Sequence, residues 1–397
     1  MPTTITTNNK TKLVPKLRFK GFEEEWEKKE LKDFTKINQG LQIAISERFL
    51  EKVDGSYFYI TNEFLRAGSK KSYFIKNPPQ SVMCDEDDLL MTRTGNTGQV
   101  VTGVSGAFHN NFFKIKFDSS CAKWFLYYFL TDHKTQHTIL KLAGTSTIPD
   151  LNHGDFYKIK INFPSFLEQQ KIATFLSSVD EKLQQLTRKK ELLEHYKKGV
   201  MQQLFSGKLR FKDDTSTSLS AANGKSYPEW EEKRLGDCLD YIQPTKYLVS
   251  STEYDDSYTT PVLTAGKTFI LGYTNETNNI FNENLPVILF DDFTTATQFV
   301  DFPFKAKSSA MKILVAKENE NINYIYEAMR LIKFEIGGHG RHWISQFANF
   351  MIPYPCLPEQ QKIANYLTSI DKKIETIKKE ITATQGFKKG LLQQMFV

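Results

Sequence analysis

Apolar residues return at every seventh position along two stretches of the chain. Ile172, Val179, Leu186, Leu193 and Val200 form one series; Ile363, Ile370, Ile377, Thr384 and Leu391 form the other, with one polar member. Four positions on from these stand Leu176, Leu183 and Leu204, and in the second stretch Leu367, Ile374, Ile381 and Met395. Apolar positions at i, i+4 and i+7 over five repeats predict a helix with one narrow stripe, the seam of a coiled coil. The starts agree. Ser165-Phe166-Leu167-Glu168 fits a capping box, and Pro358 suits a first helical turn, where its missing N–H costs nothing. At 1.5 Å per residue, about forty residues make a rod on the order of 60 Å long. Two ordinary amphipathic helices on separate cores would show a similar stripe, but the strict period and Lys-rich flanks favour rods that bury their seams on each other.

The two stretches are also copies. PSFLEQQKIATFLSSVDEKL from Pro164 returns as PCLPEQQKIANYLTSIDKKI from Pro355, 191 positions on, and both copies end near a Lys-Lys-Gly, at 197–199 and 388–390. A period this long means one module written twice, not a solenoid. The echo extends further. Lys16-Leu17-Arg18-Phe19 returns as Lys208-Leu209-Arg210-Phe211, and the segment opening at Trp26 returns at Trp230. The chain therefore reads as globule–helix–globule–helix, a near-symmetric ring opened at one joint. The expected fold class is mixed α/β (α+β): two globular domains separated by two long antiparallel helices that form an intramolecular coiled coil. The expected limits are a disordered tail at 1–14, globules at 15–163 and 227–353, and helix modules at 164–211 and 354–397. A flexible polar linker is expected at 212–226.

Within the globules, Ser56–Thr61 and Asn111–Phe117 have the β-branched, aromatic or alternating character of strands, and a helix is expected over Ala122–Leu130. Turns fall at Asn77-Pro78-Pro79 and Gly95-Asn96. The second globule has expected strands near Thr259–Leu263, Pro286–Phe290 and Ala310–Val315, and a helix over Ile322–Ile332. Strand order does not follow from these patterns.

Composition narrows the class. With 397 residues, two to three domains are expected. Four scattered cysteines, Cys84, Cys121, Cys238 and Cys356, form no spaced framework and suit a reducing, cytoplasmic setting. No apolar run is long enough for a membrane span, and the polar start lacks a secretory h-region. A net charge of +6 is compatible with an anionic partner and proves none.

No catalytic, cofactor-binding or metal constellation is legible. Asn77-Pro78-Pro79-Gln80 approaches the motif of amino-methylating enzymes, yet Gln80 stands where an aromatic must stack on the flipped base. Asp85-Glu86-Asp87-Asp88 reads as a solvated acidic turn. His339 and His342 lack partners at zinc-ligand spacing. What remains is binding chemistry. Thr92, Arg93, Thr94, Asn96 and Thr97 sit on a strand running into a Gly-bearing turn, where Arg can read guanine and Asn adenine. His109, Asn110, Thr145, Ser146 and Thr147 add similar groups. The second globule offers Lys267, Tyr273, Thr294, Thr295, Thr297, Lys305, Lys307, His339, Arg341, His342 and Trp343. Ordinary hairpin turns would carry many of the same residues.

The doubled Pro-Xaa-Xaa-Xaa-Glu-Gln-Gln-Lys-Ile-Ala, followed by a long helix ending in Lys-Lys-Gly-Xaa-Xaa-Gln-Gln-Xaa-Phe, resembles the conserved regions of type I restriction–modification specificity subunits. The resemblance covers nearly the whole chain past residue 14, and Leu89–Gly98 is similar to a stretch of their target-recognition domains. It implies a non-catalytic subunit whose two globules each read half of a bipartite, asymmetric site on double-stranded DNA. It implies helices that set the spacing and dock two methyltransferase subunits, with restriction/translocase subunits joining. S-adenosylmethionine and ATP/Mg would belong to those partners, with no cofactor on this chain. The docking residues so implied, with junction packing as the alternative task of these polar ends, are Glu168, Gln169, Gln170, Lys171, Lys197, Lys198, Gln202 and Gln203. Their counterparts are Glu359, Gln360, Gln361, Lys362, Lys388, Lys389, Gln393 and Gln394. The rival readings are a self-contained methyltransferase or nuclease, and a coiled-coil protein–protein adaptor without DNA readout.

Overall fold

Both expected rods form, as one helix over Phe166–Phe205 and another over Leu357–Met395. The computed structural model describes residues 14–66, 68–212, 219–221, 227–334 and 341–396. The expected tail thus lies outside the described residues except for Val14, as do 213–218 and 222–226 of the linker. The chain divides into two compact units, Met1–Thr187 with Lys379–Val397, and Arg188–Lys378. Each unit contains one globule, the first half of the helix that follows it, and the last half of the other helix.

In unit 1, one antiparallel sheet runs in the order Thr35–Gln39, Phe112–Phe117, Leu89–Thr92, Val100–Val101. A second runs Phe74–Lys76, Ser56–Ile60, Gly106–Phe108, Met83–Cys84, with its middle pair parallel. Helices over Lys123–Thr131 and His133–Ala143 follow, and Glu27–Glu30 pairs with Lys160–Phe163 where the chain enters and leaves. Unit 2 uses the same plan. Its sheets run Leu239–Ile242, Met311–Ala316, Val287–Asp291, Thr297–Val300, and Ile270–Thr274, Thr260–Leu263, Lys305–Ala306. Glu231–Arg234 pairs with Met351–Tyr354, and the main helix is Ile322–Met329. The unbroken apolar runs Leu89-Leu90-Met91 and Val287-Ile288-Leu289-Phe290 occupy interior strands, where both faces must be covered. Within the segment read as a loop, the backbone of Leu219–Ala221 pairs with Leu209–Phe211.

The apolar stripes bury as expected over most of their length, but not as an isolated seam. In unit 1, Ile172, Leu176 and Val179 share one core with Leu391 and Met395, and also with Trp26, Phe125 and Phe129 of the globule. In unit 2, Val200 and Leu204 share a core with Ile363, Leu367 and Ile370, and with Tyr324 and Trp343. Leu183, Leu193, Ile381 and Thr384 are only partly covered. Helix pairing and globule packing are thus one hydrophobic event per unit.

Charge pairs mark the antiparallel pairing inside each unit. In unit 1 the Lys388 ammonium lies 2.6 Å from Asp180; in unit 2 Lys197 lies 2.5 Å from Asp371. These are the same two positions of the repeat, exchanged. Lys197 also meets the buried Glu327 at 2.8 Å, and burial raises that carboxyl's pKa despite the nearby Arg330 and Lys197.

Candidate nucleic-acid interface

In unit 1, five separated loops meet at one end of the antiparallel sheet. Arg93 donates its backbone N–H to the Asn111 carbonyl, and Leu151 donates its own to the Arg93 carbonyl. Thr97 donates its hydroxyl to the Pro149 carbonyl at 2.6 Å. Asn62 donates to the carbonyls of Thr94 and Gly95, and its Oδ1 is buried without a partner. Gln39 donates to the Asn110 carbonyl, and the Asn110 amide donates to Gln42 at 2.8 Å. Two glycines allow this crowding. Gly95 and Gly98 both take positive φ, and a Cβ on Gly98 would meet Gln136 and Ile139.

The predicted residues divide by role at this place. Asn96, Thr145, Ser146 and Thr147 are exposed, while Arg93, Thr94, His109 and Asn110 are half-buried. Thr92 and Thr97 are buried and staple the turn from inside, Thr92 by donating to the Asn96 carbonyl. They shape the loop and offer no surface to a ligand. Arg93 is paired: its Nε and Nη2 donate to the two oxygens of Asp150 at 3.0 and 2.6 Å, and the Thr94 hydroxyl donates to the same carboxylate. The Arg93 guanidinium beside it, helped by Thr94, holds the Asp150 carboxyl below its usual range. His109 packs at a tilt against the Tyr59 ring, and its Nδ1 accepts from the Asn111 N–H. Burial, with the Arg48 charge nearby, pushes its pKa down to about 4, so the ring is neutral near pH 7.

Unit 2 has a corresponding cluster made of different residues. The Asp291 carboxylate accepts from the N–H groups of Phe293 and Thr294 and so folds the hairpin carrying Thr294, Thr295 and Thr297. Thr295 takes φ 59°, rare for a β-branched residue, with its N–H donated to the Asp291 carbonyl. Gln298 reaches the Gly266 carbonyl and draws the Lys267 loop alongside. Buried Asp292 pairs with Lys312 at 3.4 Å and accepts from the Trp343 N–H, while its carbonyl accepts from the His342 N–H. That brings exposed Arg341 to the cluster. Lys307, half-buried, lies over the Tyr254 ring, and Tyr273 is half-buried on its strand.

Three of the predicted residues here are corrected. Trp343 is 2% exposed and packs edge-on against Phe290, because a ring of that size completes the unit's core. His342 is buried against Phe334. Lys305 is buried and spent on Glu276 at 2.6 Å and the Asn278 carbonyl. None of the three faces solvent. His339 lies outside the described residues.

The polar repeat on the helices divides in the same way. Glu168 and Glu359 are almost wholly buried, and each holds an Arg by both oxygens and a Trp by one. Arg18 bonds Glu168 at 2.7 and 2.8 Å with Trp26 at 3.1 Å; Arg210 bonds Glu359 at 3.1 and 2.7 Å with Trp230 at 2.8 Å. Gln169 accepts from the Ala122 N–H and donates to the Ser120 and Pro164 carbonyls. Gln360 donates to the Pro355 carbonyl. Glu168, Glu359, Gln169 and Lys197 tie helix to globule, and these four and Gln360 are buried. Lys362 donates to the Lys212 carbonyl and Lys388 is half-buried beside Asp180. Gln170, Lys171, Lys198, Gln202, Gln203, Gln361, Lys389, Gln393 and Gln394 are exposed.

Gln39, Gln42, Asn62 and Asp150 escaped the sequence reading because each sits outside the turn motifs that drew attention. Only the fold brings them to the loops of Arg93 and Asn110. Among the described residues, no group of His, Cys, Asp and Glu is arranged to hold a metal ion, and no helix is long and apolar enough to cross a membrane.

The chain matches the model of the type I restriction modification DNA specificity domain over residues 23–195 and again over 227–384. The Escherichia coli type I restriction enzyme EcoR124I/EcoR124II specificity subunit is 46% identical over 163 residues, 39% of this chain and 40% of that protein's length. The MjaVIII specificity subunit of Methanocaldococcus jannaschii is 26% identical over 93% of this chain and 91% of its own. The crystal structure of the type I system S subunit from M. genitalium aligns with a TM-score of 0.67 at 18% identity, over 97% of this chain and 99% of that one, a likeness of fold. Two family matches fall on the two halves that share one strand plan, and the repeat with which the chain was first read lies in both. The chain belongs to this family: it is a DNA specificity subunit of a type I restriction–modification system.

Proposed function

We propose that each unit reads one half of a bipartite, asymmetric site on double-stranded DNA through its loop cluster, and that the helices set the gap between the half-sites. One observation carries this reading. Two units built on a like four-stranded antiparallel sheet present clusters of quite different side chains, Arg93–Asp150 with Asn96 and Asn110 in one, and Thr294, Lys267 and Arg341 in the other. A shared scaffold with unlike loops suits two unlike half-sequences.

The exposed Gln and Lys residues of the helix repeat dock two methyltransferase subunits, with restriction/translocase subunits added to that complex. Two copies of one surface suit two copies of one partner. Beside the repeat, a groove of about 520 Å³ in unit 1 is lined by Trp124, Tyr127, Asp180 and Glu181, and one of about 440 Å³ in unit 2 by Lys198, Arg330, Lys333 and Asp371. This non-catalytic chain chooses the address. S-adenosylmethionine and ATP/Mg are held by its partners, and the complex works in the cytoplasm.

The test is DNA binding by the chain assembled with its methyltransferase subunits, measured over a salt series. Phosphate contacts by either cluster give a log–log slope of several units between about 50 and 200 mM salt, on top of a sequence preference. A flat dependence with no sequence preference would favour a protein–protein adaptor.

A further inference from the structure

We infer that Asp150 is the positioning residue for guanine readout by Arg93 in the half-site read by unit 1. This rests on unit 1 being a DNA reader. A guanidinium has two edges that can donate a parallel pair of N–H groups, one formed by Nε and a terminal nitrogen, the other by the two terminal nitrogens. Asp150 occupies the first, at 3.0 and 2.6 Å. Among the described residues nothing accepts from Nη1, and the Arg93 side chain keeps 20% of its surface in solvent. The edge left over is the one that fits guanine O6 and N7.

The ion pair therefore does not silence Arg93. It fixes the plane of the fork and removes rotamer freedom that binding would otherwise have to freeze. Asp150 is itself held. The Thr94 hydroxyl donates to it, Thr94 and Asp150 form a β-bridge, and Thr97 ties the next residue back, to the Pro149 carbonyl. The backbone bonds from Arg93 to Asn111 and from Leu151 to Arg93 do not involve the carboxylate. The loop keeps these supports when Asp150 is changed.

The experiment selects bound sequences from a randomised duplex library with the complex of this chain and its methyltransferase subunits. It compares the unaltered chain with Asp150→Ala and Arg93→Lys, since a lysine cannot form the fork. Both variants should lose preference for guanine at the same single base pair, by roughly five- to a hundred-fold, with other positions and the other half-site unchanged. Placing 7-deazaguanine there, which lacks the N7 acceptor, should weaken the unaltered complex and leave Asp150→Ala almost unaffected.

If Arg93→Lys loses the guanine and Asp150→Ala keeps it, Asp150 positions nothing and the inference fails while DNA reading stands. Uniform weakening at every position by Asp150→Ala would make it a structural residue, again overturning the inference. Retention of every preference by both variants would remove Arg93 from the interface. Failure of the unaltered complex to select any sequence would sink the reading on which the inference rests.

Discussion

Glu168 and Glu359 open the two copies of the repeat, and each braces its own unit from inside. Each carboxylate accepts three side-chain hydrogen bonds from an Arg fork and a Trp ring, in a place that water hardly reaches. Replacing Glu168 with Ala strands the Arg18 charge and the Trp26 N–H, and such broken buried pairs cost about 3–5 kcal/mol. Chemical denaturation should show that loss, and Glu359→Ala should match it in the other unit. The resemblance implies docking at these residues, with junction packing as the alternative, and the buried Glu side chains take the second role. Nothing local in the sequence says that an Arg 150 positions away will bury the Glu. Trp343 and His342 went astray for the same reason: a polar, Gly-rich neighbourhood masked residues that the core claims. His109 gives a pH test. Its folded pKa of about 4 lies below the ordinary 6.5, so between these values the unfolded chain binds more protons. The stability it contributes is complete above pH 6.5 and falls as pH drops toward 4. Thermal unfolding of His109→Gln should lose less stability over that window than the unaltered chain; equal losses would mean that His109 does not titrate as its burial requires.

At the scale of elements, periodicity was the strongest signal and proved reliable where packing follows from it. The seven-residue stripes gave both long helices; alternation gave Phe112–Phe117, and an apolar run gave Val287–Asp291, each within one residue. Strand order was not legible, since pairing depends on which apolar runs need cover on both faces. The helix at His133–Ala143 was missed because most of its surface is polar. The helix pairing yields a prediction about spacing. The unit boundary crosses the helices at Thr187/Arg188 and Lys378/Lys379. Inserting seven residues at both points keeps the stripe in phase and preserves the Lys388–Asp180 and Lys197–Asp371 pairs within their units. Seven helical residues add about 10 Å, some three base pairs of duplex. Sites methylated by such a complex should keep both half-sequences and gain about three base pairs between them. Altered half-sequences at an unchanged gap would remove the spacer role.

For the whole molecule, symmetry and its breaking carry separate tasks. The four-stranded antiparallel sheet, the Glu-centred clamps and the Lys–Asp exchange recur in both units, in keeping with the proposed docking of two like partners. The loop clusters do not recur, in keeping with the proposal of two different half-sites. Most of this plan could be read from the doubled repeat; the side chains that meet at each cluster could not, because they come from loops far apart in sequence. The most direct measurement is methylation-sensitive sequencing of DNA from cells with the complete system and from cells lacking only this chain. The account predicts one methylated motif of two unlike blocks, separated by a gap of fixed length and free sequence, that disappears with the chain. A continuous motif, or one that persists without the chain, would contradict it.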